Sequence, residues 1–178
     1  MSPARRPRRR DRSVVTDPPA DILRRLRPIP TTAGPPTTRP RDVSGVDPDG
    51  APRHVEVVEA AAPVVLLFLT AECLGCRDLW SGLAKLHAGL DAVARLAVVT
   101  KSAPEDDPAS IRELAGDVPS GLGVPVVMSE TAFTDYHAAA PFLAVATPAA
   151  VLVEGVAWGV DDTLRIVRAL LSSPPTDR

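Results

Sequence analysis

The sequence predicts an α/β fold, a three-layer sandwich with a central mixed sheet flanked by helices. Three observations carry this reading. The run VVLLFL at residues 64–69 is too short for a helix and rich in branched side chains, so it reads as a strand buried on both faces. After a short link come Cys73-Leu74-Gly75-Cys76 and then Leu79, Leu83, Leu86 and Leu90, which recur at helical spacing. Beyond them, strand-like and helical runs alternate and close on a hairpin signal and a last helix, which predicts parallel central strands with an antiparallel edge.

Taken in order, the chain opens on a segment unlike the rest. Residues 1–45 hold eleven arginines and four aspartates, a net charge of +7, and nine of the twenty prolines; the remainder carries −9. Such a segment has little to bury and is expected to be a disordered, basic Pro/Arg-rich tail. No apolar stretch follows Arg5-Arg6, so no signal peptide is expected. No run approaches the ~20 apolar residues of a membrane span, and the expected location is cytoplasmic. Residues 20–27 (ADILRRLR) can form a short basic helix against an acidic partner or anionic surface. No aromatic residue interleaves these arginines, so specific nucleic-acid binding is not expected.

The folded domain is expected over residues 46–173, with 174–178 as a C-terminal tail. Asp47-Pro48-Asp49-Gly50 signals a turn, and residues 54–58 (HVEVV) read as a first short strand. Pro63 starts the central strand. Residues 95–100 (RLAVVT) read as a strand, 102–108 as an acidic loop, and 108–115 as a helix with proline in its first turn. A glycine loop at 118–124 leads to a strand at 125–129 (PVVMS) and a short helix at 131–139, with Tyr136 and His137 on its exposed face. Strands are expected at 149–153 and 156–160, joined at Glu154-Gly155. Asp161 and Asp162 can cap a last helix at 163–171, which carries Leu164, Val167 and Leu171 on one face. Aromatics make up only 3% of the chain, so the core is expected to rest on Val, Leu and Ala, with Trp80 in the core or at the rim of the site and Trp158 at a strand end.

Cys73 and Cys76 are the only cysteines. Two residues apart on a first helical turn, their sulfurs can reach bonding distance. Cys73 lies at the open end, where unpaired N–H groups and the helix dipole favour a thiolate nucleophile. Cys76 lies one turn in, where it can resolve a mixed disulfide. A zinc site needs two further ligands, and His54, His87 and His137 are scattered, so neither metal nor cofactor is expected. An inert cysteine pair is the alternative to a redox pair.

With these motifs the chain resembles the thioredoxin-like superfamily, and within it the thiol-disulfide oxidoreductases of TlpA, ResA and MauD type, the redoxin branch. The resemblance spans about residues 43–172. It rests on the Asp47-x-Asp49-Gly50 turn and strand, the strand–CxxC–helix unit, an extra strand–helix stretch before the last hairpin, and Ala146-Thr147-Pro148 with Glu154-Gly155. It implies a thiol-disulfide oxidoreductase acting on a protein thiol or disulfide partner. It also implies a cis Thr147–Pro148 bond facing the cysteines, with Thr147 and Pro148 binding substrate. The chain departs from the pattern at Glu72, where a tryptophan is common, and at Leu74-Gly75. Leu67 and Leu79 stand where related proteins carry acids, with Asp78 adjacent to the latter. Glu72 and Asp78 are therefore the candidate modulators of thiol acidity. A redox-weak or redox-inactive accessory module for one partner is the second reading.

Overall fold

The computed structural model describes residues 38–116 and 123–172. The expectations for residues 1–37, for most of the glycine loop and for the last six residues lie outside it. Seven strands form one sheet in the order β2-β1-β5-β4-β3-β6-β7. At its centre β3 (Val64–Phe68) runs parallel to β4 (Arg95–Thr100), and β4 runs parallel to β5 (Val126–Met128). On the other side, β6 (Phe142–Ala146) lies antiparallel to β3, and β7 (Val151–Val156) antiparallel to β6. Parallel core and antiparallel edge are as the sequence predicts.

Every residue of β3 is buried, because both faces of the strand are covered. Val65, Leu67 and Leu69 face Leu79, Trp80, Leu83, Leu86, Ile111, Leu164 and Val167. These come from α1 (Arg77–Ser81), α2 (Leu83–Leu90), α3 (Pro108–Gly116) and α5 (Val160–Ser172). Val64, Leu66 and Phe68 face the opposite layer, with Ala132, Phe133 and Tyr136 in and just after α4 (Glu130–Asp135). The few aromatics are concentrated here: Phe133, Tyr136 and Phe142 surround Phe68 at 5.1, 5.4 and 5.8 Å between ring centroids. The core is therefore not aliphatic throughout. Tyr136 is fully buried, where an exposed helix face was expected.

Two boundaries move. Val43–Val46 is a strand, β1, antiparallel to β5 and to β2 (Pro52–Val55), so the folded unit reaches back past residue 46. Val43 is fully buried, and the Tyr136 hydroxyl holds Arg41 at both ends, accepting from its N–H at 3.0 Å and donating to its carbonyl at 2.6 Å. Two prolines and five charged residues in residues 38–49 hid this edge strand in the sequence.

The hairpin is also displaced by one strand. Its arms are β6 and β7, and its turn is at residues 147–150, where the Thr147 N–H and hydroxyl both donate to the Ala150 carbonyl, at 2.8 and 3.1 Å. Glu154 and Gly155 lie inside β7, and Val160 starts α5 rather than ending a strand. The threonine-built turn is stronger than the Glu-Gly signal, because its side chain closes it locally.

Candidate active site

The parallel strand β3 leads the chain to the site. Leu69 still donates to Val99 at 3.0 Å, and residues 70–72 then turn towards the cysteines. Cys73 keeps extended backbone, and a single 3-10 turn, Leu74–Cys76, follows, closed by the Cys76 N–H on the Cys73 carbonyl at 3.0 Å. α1 continues from Arg77. The helical run then breaks at Gly82, where a Cβ would collide with Val160 Cγ2 of α5. Glycine therefore lets the two helices meet closely, and the break leaves two short helices in place of one long one.

Both cysteines are free thiols in the spacing that lets them pair. Cys73 is half-buried and Cys76 fully buried. Burial above all pushes the Cys76 thiol up to about 12. Its hydrogen bond with Cys73 and the charges of Cys73 and Asp106 act in the same sense, while a hydrogen bond from the Thr70 backbone opposes them. Cys76 is thus held as a thiol at neutral pH, and Cys73 is the sulfur a partner can reach.

Pro141, not Pro148, stands beside the thiols. β6 pairs with β3 so that Phe142 lies opposite Phe68 and Ala146 opposite Val64. Pro141 therefore sits at the CxxC end of the sheet, and Thr147 and Pro148 at the far end. A Cβ built on Gly75 would be 3.3 Å from Pro141 Cγ and 3.9 Å from Cys73 Sγ. Glycine at 75 is what lets the proline close on the CxxC turn. Among the described residues the cis bonds are Ala103–Pro104 and Ala140–Pro141, so the expected cis Thr147–Pro148 bond is not found. The Thr-Pro motif resembles a site but forms the hairpin turn. The available signal was Pro141 standing directly before an apolar run, FLAVA.

The two candidate modulators separate. Asp78 Oδ2 accepts the Val160 N–H at 3.2 Å and so holds the start of α5. Glu72 is exposed, and its charge bears on Asp106. Asp106 went unrecognised in an acidic loop. Its side chain is buried, accepting from Ala71 N–H at 3.0 Å and from Lys101 N–H at 3.1 Å. Burial raises its carboxyl above the usual range, against the pull of those two N–H groups and of the Lys101 charge. Among the described residues, no group of three or more His, Cys, Asp or Glu side chains is placed to hold a metal ion. A cleft of about 830 Å³ lies at the other end of the sheet, lined by Arg53, His54, Arg95 and Arg112 among others and by neither cysteine.

This arrangement of sheet, CxxC turn and neighbouring proline defines a thioredoxin-like fold, and comparison with solved structures agrees. An uncharacterised conserved protein from Geobacillus kaustophilus superposes with a TM-score of 0.63 at 17% identity, covering 83% of this chain and 87% of its own. The thioredoxin domain of a thiol-disulfide oxidoreductase from Bacteroides vulgatus gives 0.58 at 17% identity, over 79% of this chain and all of that one. A secreted Mycobacterium tuberculosis disulfide oxidoreductase gives 0.56 at 16% identity, over 71% and 95%. No family model matches the chain, and no curated protein matches it.

Proposed function

We propose that the chain is a thiol-disulfide oxidoreductase that exchanges two electrons with a protein disulfide through Cys73 and Cys76. The observation that carries this reading is the pair itself: a reachable Cys73 over a buried, protonated Cys76, at the end of the central strand and against Pro141. Written in the reducing direction, the Cys73 thiolate attacks one sulfur of the partner disulfide, and the other sulfur leaves as a thiolate. Cys76 then attacks Cys73 Sγ, the mixed disulfide breaks, and the partner departs as a dithiol. The chain is left with a Cys73–Cys76 disulfide. Only Cys73 reaches the surface, beside the exposed Leu74, which suits a protein substrate better than a small molecule. Exposed Leu74 and Trp158 give that surface an apolar rim.

Trapping tests the reading. In Cys76→Ser the second step is blocked, and a partner should remain disulfide-linked to Cys73. The double variant lacking both thiols should trap nothing. If Cys76→Ser also captures no partner, and the purified protein reduces no protein disulfide, the accessory-module reading takes its place.

A further inference from the structure

The seven-strand sheet ends in two edges of opposite character. β2, at one edge, opens on Pro52 and continues with Arg53 and His54, all three exposed. Proline donates no hydrogen bond along an edge, and the Arg53 charge is held in water by Asp47 at 2.9 Å, so this edge is closed to a further strand. β7, at the other edge, reads VLVEGV and holds neither proline nor a basic residue. Its bulge lies opposite Val145 and Ala146, and from Val153 to Val156 its ladder with β6 is regular. Among the described residues no strand pairs with its outer side.

The helix on this side of the sheet leaves a matching apolar flank. α2 packs on β4, and α5 packs on α2. Arg168 Nε donates to the Gly89 carbonyl at 3.1 Å, and a Cβ on Gly89 would collide with Leu164, so Leu164 and Arg168 mark the side of α5 that meets α2. Val167 is turned into the core. Ile166 and Leu170, one turn apart on the side away from α2, are only half-buried, and so are Leu152 and Val153 of β7, at the margin of the same core. The charges of α5 are all engaged within the copy: Asp161 with Lys85 at 2.6 Å, Asp162 with Arg165 at 2.8 Å, and Arg168 with Gly89.

We propose that two copies of the chain meet at this edge, β7 pairing antiparallel with β7 across a two-fold axis normal to the sheet. An open edge presents a row of backbone N–H and C=O groups that another strand can satisfy. The rotation that makes the two strands antiparallel keeps both α5 helices on the same face of the joined sheet, so Ile166 and Leu170 of one copy come beside those of the other. A single extended peptide would pair with β7 but bring no helix to that flank, whereas a second copy covers both. An axis at Val153 sets Glu154 opposite Leu152 rather than opposite its own copy, where like charges would repel. β7 has six residues and α5 thirteen, so each is about 20 Å long, and the two layers together are about 20 Å deep. The contact therefore covers on the order of 400 Å² per copy, the size of a weak, reversible interface with a micromolar dissociation constant. Cys73 and Cys76 follow β3, two strands in from this edge, so both CxxC turns stay open in the pair.

Sedimentation equilibrium of the full chain tests this, under reducing conditions so that no disulfide links the copies, from about 1 to about 500 µM. The mass should rise with concentration from 18.7 kDa towards twice that value. The rise should be the same at about 0.1 M and about 1 M salt, because no ion pair joins the copies. Hydrogen exchange locates the contact. Outward amides of Val151–Val156 should exchange about tenfold more slowly at the high concentration, while those of β2 should not change. Leu170→Lys sets a charge in the apolar flank and should keep the mass at 18.7 kDa throughout. A wild-type chain that stays monomeric over the whole range overturns the proposal, whatever the variant does. So does a dimer whose β7 amides gain no protection, or one that dissociates at about 1 M salt, since its contact would then lie on charged segments. A folded Leu170→Lys chain that dimerises like the wild type also overturns it, because the α5 flank would have no part in the contact.

Discussion

Asp78 accepts the Val160 N–H through Oδ2 at 3.2 Å and so ties the helix following Cys76 to the first turn of α5. α5 packs on the same face as the thiols and closes the layer over Leu79 and Leu83. A carboxylate on an otherwise unpaired N–H at a helix start is worth about 1 kcal/mol. Asp78→Ala should therefore lower the free energy of unfolding in urea by about that amount. The rate of Cys73 alkylation should stay unchanged, since the bond supports the frame rather than the sulfur. An unchanged urea midpoint would show that α5 holds its place without this bond.

The segment before residue 46 is part of the fold. Val43 fills the face around Phe68, and burying a side chain of that size contributes about 2 kcal/mol. Tyr136→Phe removes the hydroxyl that holds Arg41 and should cost about 1 kcal/mol. A chain beginning at Val46 loses both contributions and should melt well below one beginning at Thr38. Equal melting temperatures would refute the assigned role of β1.

Stability should also depend on pH through Asp42. Its carboxylate accepts Val57 N–H at 2.7 Å and Val58 N–H at 2.9 Å, which together hold its carboxyl below the usual range. His54 Nε2, 3.8 Å away, acts in the same sense when protonated. A group held below its unfolded value stabilises the fold above that value, and the contribution is lost as pH falls through the folded one. Asp42→Asn should thus be less stable than wild type at neutral pH, with the gap closing below about pH 4. A gap constant from neutral to acid pH would mean that the charge plays no part.

The strand–CxxC–helix unit was legible because the features that signal it are local: a short branched run, two cysteines at fixed spacing, and leucines at helical intervals. β4, α3 and β5 were legible for the same reason. What escaped depends on pairing between distant segments. Phe142–Ala146 is a strand because β3 and β7 flank it, and that pairing, invisible in FLAVA itself, puts Pro141 rather than Pro148 at the CxxC end of the sheet. Asp106 looked like one acid among several in residues 102–108. Only its burial and the Ala71 and Lys101 N–H groups distinguish it from Glu105 and Asp107, the latter of which accepts the Ser110 N–H of α3. Tyr136 looked exposed because nothing in TAFTDYHAA shows that the Arg41 backbone will take its hydroxyl.

Trp158 should decide which partners the site accepts. The chain has two tryptophans; Trp80 is buried, its Nε1 donating to the Thr70 carbonyl at 3.4 Å, while Trp158 is 64% exposed. Its chain neighbours place it at the CxxC end of the sheet. Ala157 N–H donates to the Pro141 carbonyl at 3.1 Å, and a Cβ on Gly159 would lie 2.8 Å from Asp78 Oδ2. Trp158 therefore stands between the proline on one side of the CxxC turn and the helix on the other, with Leu74, 75% exposed, in the turn itself. A large indole left in water contributes little to folding but much to association, because a partner can bury it whole and still satisfy its N–H. Trp158→Ala should leave the melting temperature unchanged and lower kcat/KM toward a protein disulfide about tenfold, the loss expected of an interface anchor. Its reaction with dithiobis(nitrobenzoate) should stay at the wild-type rate, because that reagent needs only Cys73. An equal loss with both substrates would place Trp158 in the chemistry instead of docking, and no loss with either would leave the apolar rim without a role.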